Sequence, residues 1–117
     1  MKKLQVTTQN GFQFINPLTI LFLKASNNYT EIFYTDNSDT QLICKTIGKI
    51  EKCLPSELFF RCHRTYIINI KQITEFKYLN CGGIITLKNN QKIKLAKRKK
   101  KMFLEIIKKN TFSPLTQ

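Results

Sequence analysis

Residues 20–44 read ILFLKASNNYTEIFYTDNSDTQLIC. Ile20 to Ala25 is a short, largely apolar run suited to a buried strand. Ser26-Asn27-Asn28 is a turn signal, because Asn tolerates the backbone conformations of tight turns. Tyr29 to Thr35 is rich in β-branched and aromatic residues and reads as a second strand. Asp36-Asn37-Ser38-Asp39 turns the chain again, and Thr40 to Cys44 returns as a hairpin partner. Three strands joined by short turns predict antiparallel sheet rather than alternating strands and helices.

The reading extends in both directions. Upstream, residues 1–10 are expected as a loose lead-in, and Pro17 marks a short turn. Downstream, Ile47, Ile50, Cys53 and Leu54 fall on one face of a helix spanning Thr46 to Leu54, with Thr46 as N-cap and Pro55 as the stop. Phe59-Phe60 and Tyr66-Ile67-Ile68 open new strands. Ile73 to Leu79 and Ile84 to Leu87 form a hairpin across Asn80-Cys81-Gly82-Gly83. Lys92-Ile93-Lys94-Leu95 alternates with its apolar residues inward and its lysines outward. A last helix from about Lys97 to Lys109 presents Met102, Phe103, Ile106 and Ile107 as its apolar face. The result is a mostly β domain with two short helices. Its expected division is a lead-in at 1–11, a domain at 12–109 and a tail at 110–117.

The totals agree with one domain. The chain has 117 residues, 42% of them hydrophobic, with nine Phe and four Tyr as core material. Lys and Arg total 20 against 7 Asp and Glu, a net of +13. The excess is local: residues 88–109 hold ten bases and the single acid Glu105. So concentrated a positive field calls for an anionic partner, nucleic acid first and an anionic membrane surface second. Met1-Lys2-Lys3 is followed by polar residues, and no signal peptide or membrane span is read. Cys44, Cys53, Cys62 and Cys81 form no CxxC pair, and His63 next to Cys62 has the wrong spacing for zinc. They read as small buried or half-buried thiols in a reducing cytoplasm, with a redox pair as the alternative.

Three features carry chemistry. Lys97-Arg98-Lys99-Lys100-Lys101 opens the last helix, where the backbone already presents free N–H groups and partial positive charge. Cations there favour a docked phosphate, although an ordinary basic helix face would look the same. Phe59-Phe60-Arg61-Cys62-His63-Arg64-Thr65-Tyr66-Ile67-Ile68-Asn69 crowds hydrogen-bonding side chains beside an apolar strand. Arg64 can make a bidentate contact to guanine or phosphate, and Thr65 and Asn69 can bond backbone or base. His63 reads equally as a histidine that ties loop backbone together, and Arg61 as a salt-bridge partner for Glu57 or Glu75. Asn27-Asn28-Tyr29 is a plain turn or a third contact. No Gly-rich phosphate loop, nucleophile elbow or carboxylate pair is present, so neither an enzyme nor a cofactor or metal site is expected.

The string FFRCHRTYIINIKQI resembles the central signature of the LytTR family of bacterial DNA-binding domains, Phe-x-Arg-x-His-Arg-Ser-Tyr-x-Val-Asn. ILFLKASNNYTEIFY is similar to that family's Ile-x-Tyr-Ile-Glu-Ala-x-x-Asn-Tyr segment. Leu95-Ala96-Lys97-Arg98 stands where Val-Ser-Arg-Arg is usual. The resemblance covers about residues 12–108. It implies several small antiparallel sheets and a transcription regulator whose loops enter successive major grooves of duplex DNA. Carried over, the contacts are Asn28 and Tyr29; His63, Arg64 and Thr65; and Lys97 and Arg98 with the following Lys100 and Lys101. Ala96 for Ser removes a hydroxyl, and Lys97 for Arg removes a bidentate fork. The resemblance further implies promoter DNA with direct repeats, a regulatory protein partner, and a monomer or weak dimer away from DNA. Many members carry a receiver domain; this chain is too short for one and reads as a free-standing regulator or a fragment of a longer one. The competing expectation is an RNA-binding or nonspecific polyanion-binding β-domain that stacks bases on Tyr29 and Tyr78.

Overall fold

The computed structural model describes residues 2–111. Within them run the strands β1 (Leu4–Thr8), β2 (Gly11–Ile15), β3 (Ile20–Ser26), β4 (Tyr29–Tyr34) and β5 (Gln41–Ile43), followed by the helix α1 (Ile47–Glu51). Then come β6 (Phe59–His63), β7 (Tyr66–Asn69), β8 (Ile73–Tyr78), β9 (Gly83–Leu87), β10 (Lys92–Leu95) and the helix α2 (Lys100–Asn110). Single 3-10 turns occupy Pro17–Thr19, Ile70–Gln72 and Lys97–Lys99. The strands form a five-stranded sheet in the order β5-β4-β3-β7-β6, a three-stranded sheet β10-β9-β8 and the hairpin β1-β2. Every pairing is antiparallel. The expected mostly β architecture of small antiparallel sheets with two short helices is what the chain adopts.

The five-stranded sheet divides the interior because side chains alternate along a strand. Leu23 pairs with Ile32 on one side and Ile67 on the other, and all three point to one face. There they meet Ile47, Ile50, Leu54 and Leu58 from the α1 region, together with Leu4, Val6 and Ile15 from the hairpin. Phe22 pairs with Phe33 and Ile68 on the opposite face. That face meets Ile85, Leu87, Ile93 and Leu95 of the three-stranded sheet, and Phe103 of α2. Phe22 and Phe33 stack with ring centroids 4.2 Å apart. Each fully buried Ile, Leu or Phe contributes roughly 1.5–3 kcal/mol of hydrophobic stabilisation before entropy is counted.

Residues 4–8 depart from the expected loose lead-in. Leu4 and Val6 are buried and pair in register with Ile15 and Gln13. Burying those two side chains is what orders the N-terminal strand. The tail expected at 110–117 begins inside α2 at Asn110, and residues 112–117 lie outside the described residues.

Both helices differ in detail from their expected faces. In α1 the Thr46 side chain makes no capping bond; its carbonyl accepts from Lys49 and Ile50 instead. The helix ends at Glu51, so Cys53 lies past the reach of helical spacing and is exposed. In α2 Met102 is exposed and Leu104 is half-buried. Phe103 sits between Phe60 and Phe76, at centroid distances of 6.0 and 4.9 Å, and this fixes the rotation of the helix. At about 100° per residue, Lys100, Leu104 and Ile107 then share its buried side, and Met102 turns outward. The thiols likewise differ from expectation. Cys62 alone is buried; Cys44, Cys53 and Cys81 are exposed, because each stands in or beside a turn rather than inside a strand.

Candidate nucleic-acid interface

The β6–β7 hairpin is the hub. His63 pairs with Tyr66, leaving Arg64 and Thr65 as a two-residue turn. Beyond the β3–β7 ladder, two further backbone hydrogen bonds join this hairpin to its neighbours. The N–H of Ala25, near the end of β3, donates to the Thr65 carbonyl at 2.8 Å. The N–H of Ala96, just after β10, donates to the Cys62 carbonyl at 2.9 Å. The first bond brings the β3–β4 turn, Asn27-Asn28, to the side of Arg64 and Thr65. The second fixes where Lys97 and Arg98 leave the three-stranded sheet.

Each candidate side chain is held differently. Asn27 takes a left-handed φ of 57°, which Asn tolerates, and Asn28 and Tyr29 are exposed at the tip. His63 is partly buried, and its Nδ1 accepts the Thr65 N–H at 3.1 Å. An accepting Nδ1 places the ring proton on Nε2, so the free edge of the imidazole is a donor. Burial first, then the charges of Arg64, Lys94 and Arg98, hold the ring below the usual imidazole range. The same three cations therefore lie around one side chain. Arg64 is exposed, while Thr65 is half-buried.

The cationic run begins in a 3-10 turn, with α2 starting only at Lys100. Ala96 is its N-cap and supplies no side-chain acceptor. Lys97, Arg98 and Lys101 are exposed. Lys100 is half-buried, with Nζ 4.6 Å from the Tyr78 ring centroid, so its charge is shared with an aromatic face. Gly82 shapes this exit. Its φ of +79° is open to Gly, and a Cβ there would collide with the Leu95 carbonyl.

Two residues that act on the candidate side chains were absent from the candidates read from the sequence. Lys94 faces outward from β10 and acts on His63; its signal was the outward lysine of the Lys92–Leu95 alternation. Arg61 does not pair with Glu57 or Glu75. It binds Glu51 at 3.1 Å and donates to the Arg64 carbonyl at 2.8 Å, because its side chain crosses to α1 beside Gly48 and its own turn folds back toward it. Asn69, read as a partner for backbone or base, bonds backbone and is fully buried. Its Nδ2 donates to the Ile20 carbonyl at 2.9 Å and its Oδ1 accepts the Lys71 N–H at 3.0 Å. Cys62 lies beneath the hub, and burial pushes its thiol up to about 12, so it stays protonated.

The family model of the LytTr DNA-binding domain matches residues 10–108. The chain belongs to the LytTR family. Among solved structures, the LytTr DNA-binding domain of a protein from Bacillus cereus, designated a methyl-accepting/DNA response regulator, has the same fold. The TM-score is 0.76 at 17% identity, over 92% of this chain and 98% of that one. No curated protein matches the sequence. Membership makes this LytTR domain a DNA-binding domain of the kind used in transcription regulation. No helix among the described residues is long and apolar enough to cross a membrane.

Proposed function

We propose that the domain is a sequence-specific regulator that reads promoter DNA with loop side chains. Residues 12–109 form the DNA-binding unit in this reading. Arg64 and His63 take the central groove, with Thr65 beside them. Asn28 and Tyr29 reach one flank; Lys97 and Arg98, backed by Lys101 and the partly occupied Lys100, hold the other. The observation that carries this reading is the pair of backbone hydrogen bonds, Ala25 to Thr65 and Ala96 to Cys62, that fastens all three segments to one hairpin. A donor at His63 Nε2 and the fork of Arg64 both suit the acceptors O6 and N7 of guanine in the major groove. Exposed cations on either side suit phosphates, which position the protein without reading sequence.

In this reading the chain is no enzyme, acts in the cytoplasm without membrane attachment, and pairs on direct repeats. Selection of bound duplexes from a random pool tests it. An enriched motif with repeated half-sites is expected, and loss of enrichment for Arg64→Ala. A pool that stays random, or single-stranded RNA outcompeting duplex DNA, would favour nonspecific polyanion or RNA binding instead.

A further inference from the structure

Between β8 and α2 runs an open groove of about 790 Å³, within the ~300–1,000 Å³ range of small-molecule sites. Its walls are Ile73 and Phe76 from the strand and Leu104 and Ile107 from the helix, with Phe103 behind them. The four wall residues are only half-buried. The helix runs opposite in direction to the strand: Lys100 meets Tyr78 at one end, while Asn110 and Thr111 line the groove with Lys71 and Lys88. Those two lysines belong to the same end, because the Lys88 N–H donates to the carbonyl of Gln72 at 2.8 Å. Among the described residues the salt bridge is that of Arg61 with Glu51, so neither lysine is ion-paired. Glu75 is the acid on the wall, and the two lysines exceed it by one charge.

We propose that this groove binds a small apolar carboxylate, with its head group at Lys71 and Lys88 and its chain along Phe76 and Leu104. Two unpaired lysines at one end of an apolar channel, with the Lys100 ammonium at the other end held on the Tyr78 ring, match an amphipathic anion. The volume suits a small molecule rather than a folded partner, and a short-chain carboxylate would fill part of it. The groove's lining includes no residue of the β6–β7 hairpin and neither Lys97 nor Arg98, and its apolar walls give an apolar anion a reason to prefer it over the more basic surface.

Octanoate is the probe, titrated into the full chain and followed by calorimetry and backbone amide shifts. Saturation at one site is expected, with shifts at Ile73, Phe76, Leu104 and Ile107. Octylammonium should bind at least tenfold more weakly. The double variant Lys71→Ala, Lys88→Ala should lose octanoate affinity at least fivefold yet keep its affinity for octanol. Shifts centred on Arg64 and Arg98, or an unchanged affinity in the double variant, would overturn the assignment. So would another occupant: a second copy seen as concentration-dependent mass, contacts from Phe112 or Leu115 to Phe76, or an acidic amphipathic peptide that binds where octanoate does not.

Discussion

The ring of His63 is locked to the backbone of Thr65, two residues on, by a 3.1 Å bond from the Thr65 N–H to Nδ1. A proton on Nδ1 would leave that N–H facing another donor. The turn that presents Arg64 is thus built for the neutral imidazole, which burial and the nearby Arg64, Lys94 and Arg98 favour as well.

A pH dependence of stability follows. The unfolded imidazole takes up a proton near pH 6.5, while the folded one resists to a lower pH. Below about pH 6.5 the unfolded state therefore binds more protons, and stability falls as pH drops. The Asp36 carboxyl, held below its usual range by the Ser38 hydrogen bonds, acts only at more acid pH. Urea unfolding at pH 7.5, 6.5 and 5.5 should show the decline, and His63→Gln should flatten it. An equally steep decline in the variant would refute the role given to His63.

Arg61→Lys tests the support of the turn. Lysine offers one ammonium where arginine serves both Glu51 and the Arg64 carbonyl. A loss of about 1 kcal/mol in stability is expected, together with weaker binding to the selected duplex. The salt dependence should not change, because no phosphate contact is removed.

Asn69→Ala should cost about 2–3 kcal/mol in thermal or urea unfolding. The substitution strands the buried Ile20 carbonyl and removes the acceptor for the Lys71 N–H. A cost below 0.5 kcal/mol would mean that water replaces the amide.

The salt slope of DNA binding separates the lysines. Neutralising about six phosphates gives a log–log slope of roughly −5. Lys101→Ala, at an exposed cation, should flatten it by about one unit. Lys100→Ala should flatten it less, since that ammonium already faces Tyr78. Equal effects would show that Lys100 leaves the ring on binding.

Gly82→Ala should weaken duplex binding more than it lowers stability. The added methyl displaces the Leu95 carbonyl and the chain leading to Lys97. Retained affinity with a large stability loss would place the strain elsewhere.

The strands beyond Pro17 were legible because the β-rich runs are short and separated by Asn, Asp and Gly. The first hairpin was missed although its signal was present. Leu4-Gln5-Val6-Thr7 alternates, and Asn10-Gly11 is a hairpin signal; the turn itself is Gln9-Asn10, with Thr8 pairing Gly11. Polarity outweighed periodicity in that reading. The partners of Asn69 and Arg61 were not legible. Both depend on partners distant in sequence, Ile20 and Glu51, and no local spacing encodes them. The candidate site residues were named by type, but which of them are free to meet a ligand depends on packing. Lys100 is drawn to Tyr78 only because Phe103, three residues on, fixes the roll of the helix.

Strands β3 and β7 serve two interiors at once, with Leu23 and Ile67 turned to one and Phe22 and Ile68 to the other. Neither interior can melt without stripping one side of a shared strand. The molecule thus lacks a seam along which half of it could open, and damage in one layer is felt in the other. Tolerance for inserted sequence is thereby pushed to the rim, to bends such as Asp36–Asp39 that neither layer needs.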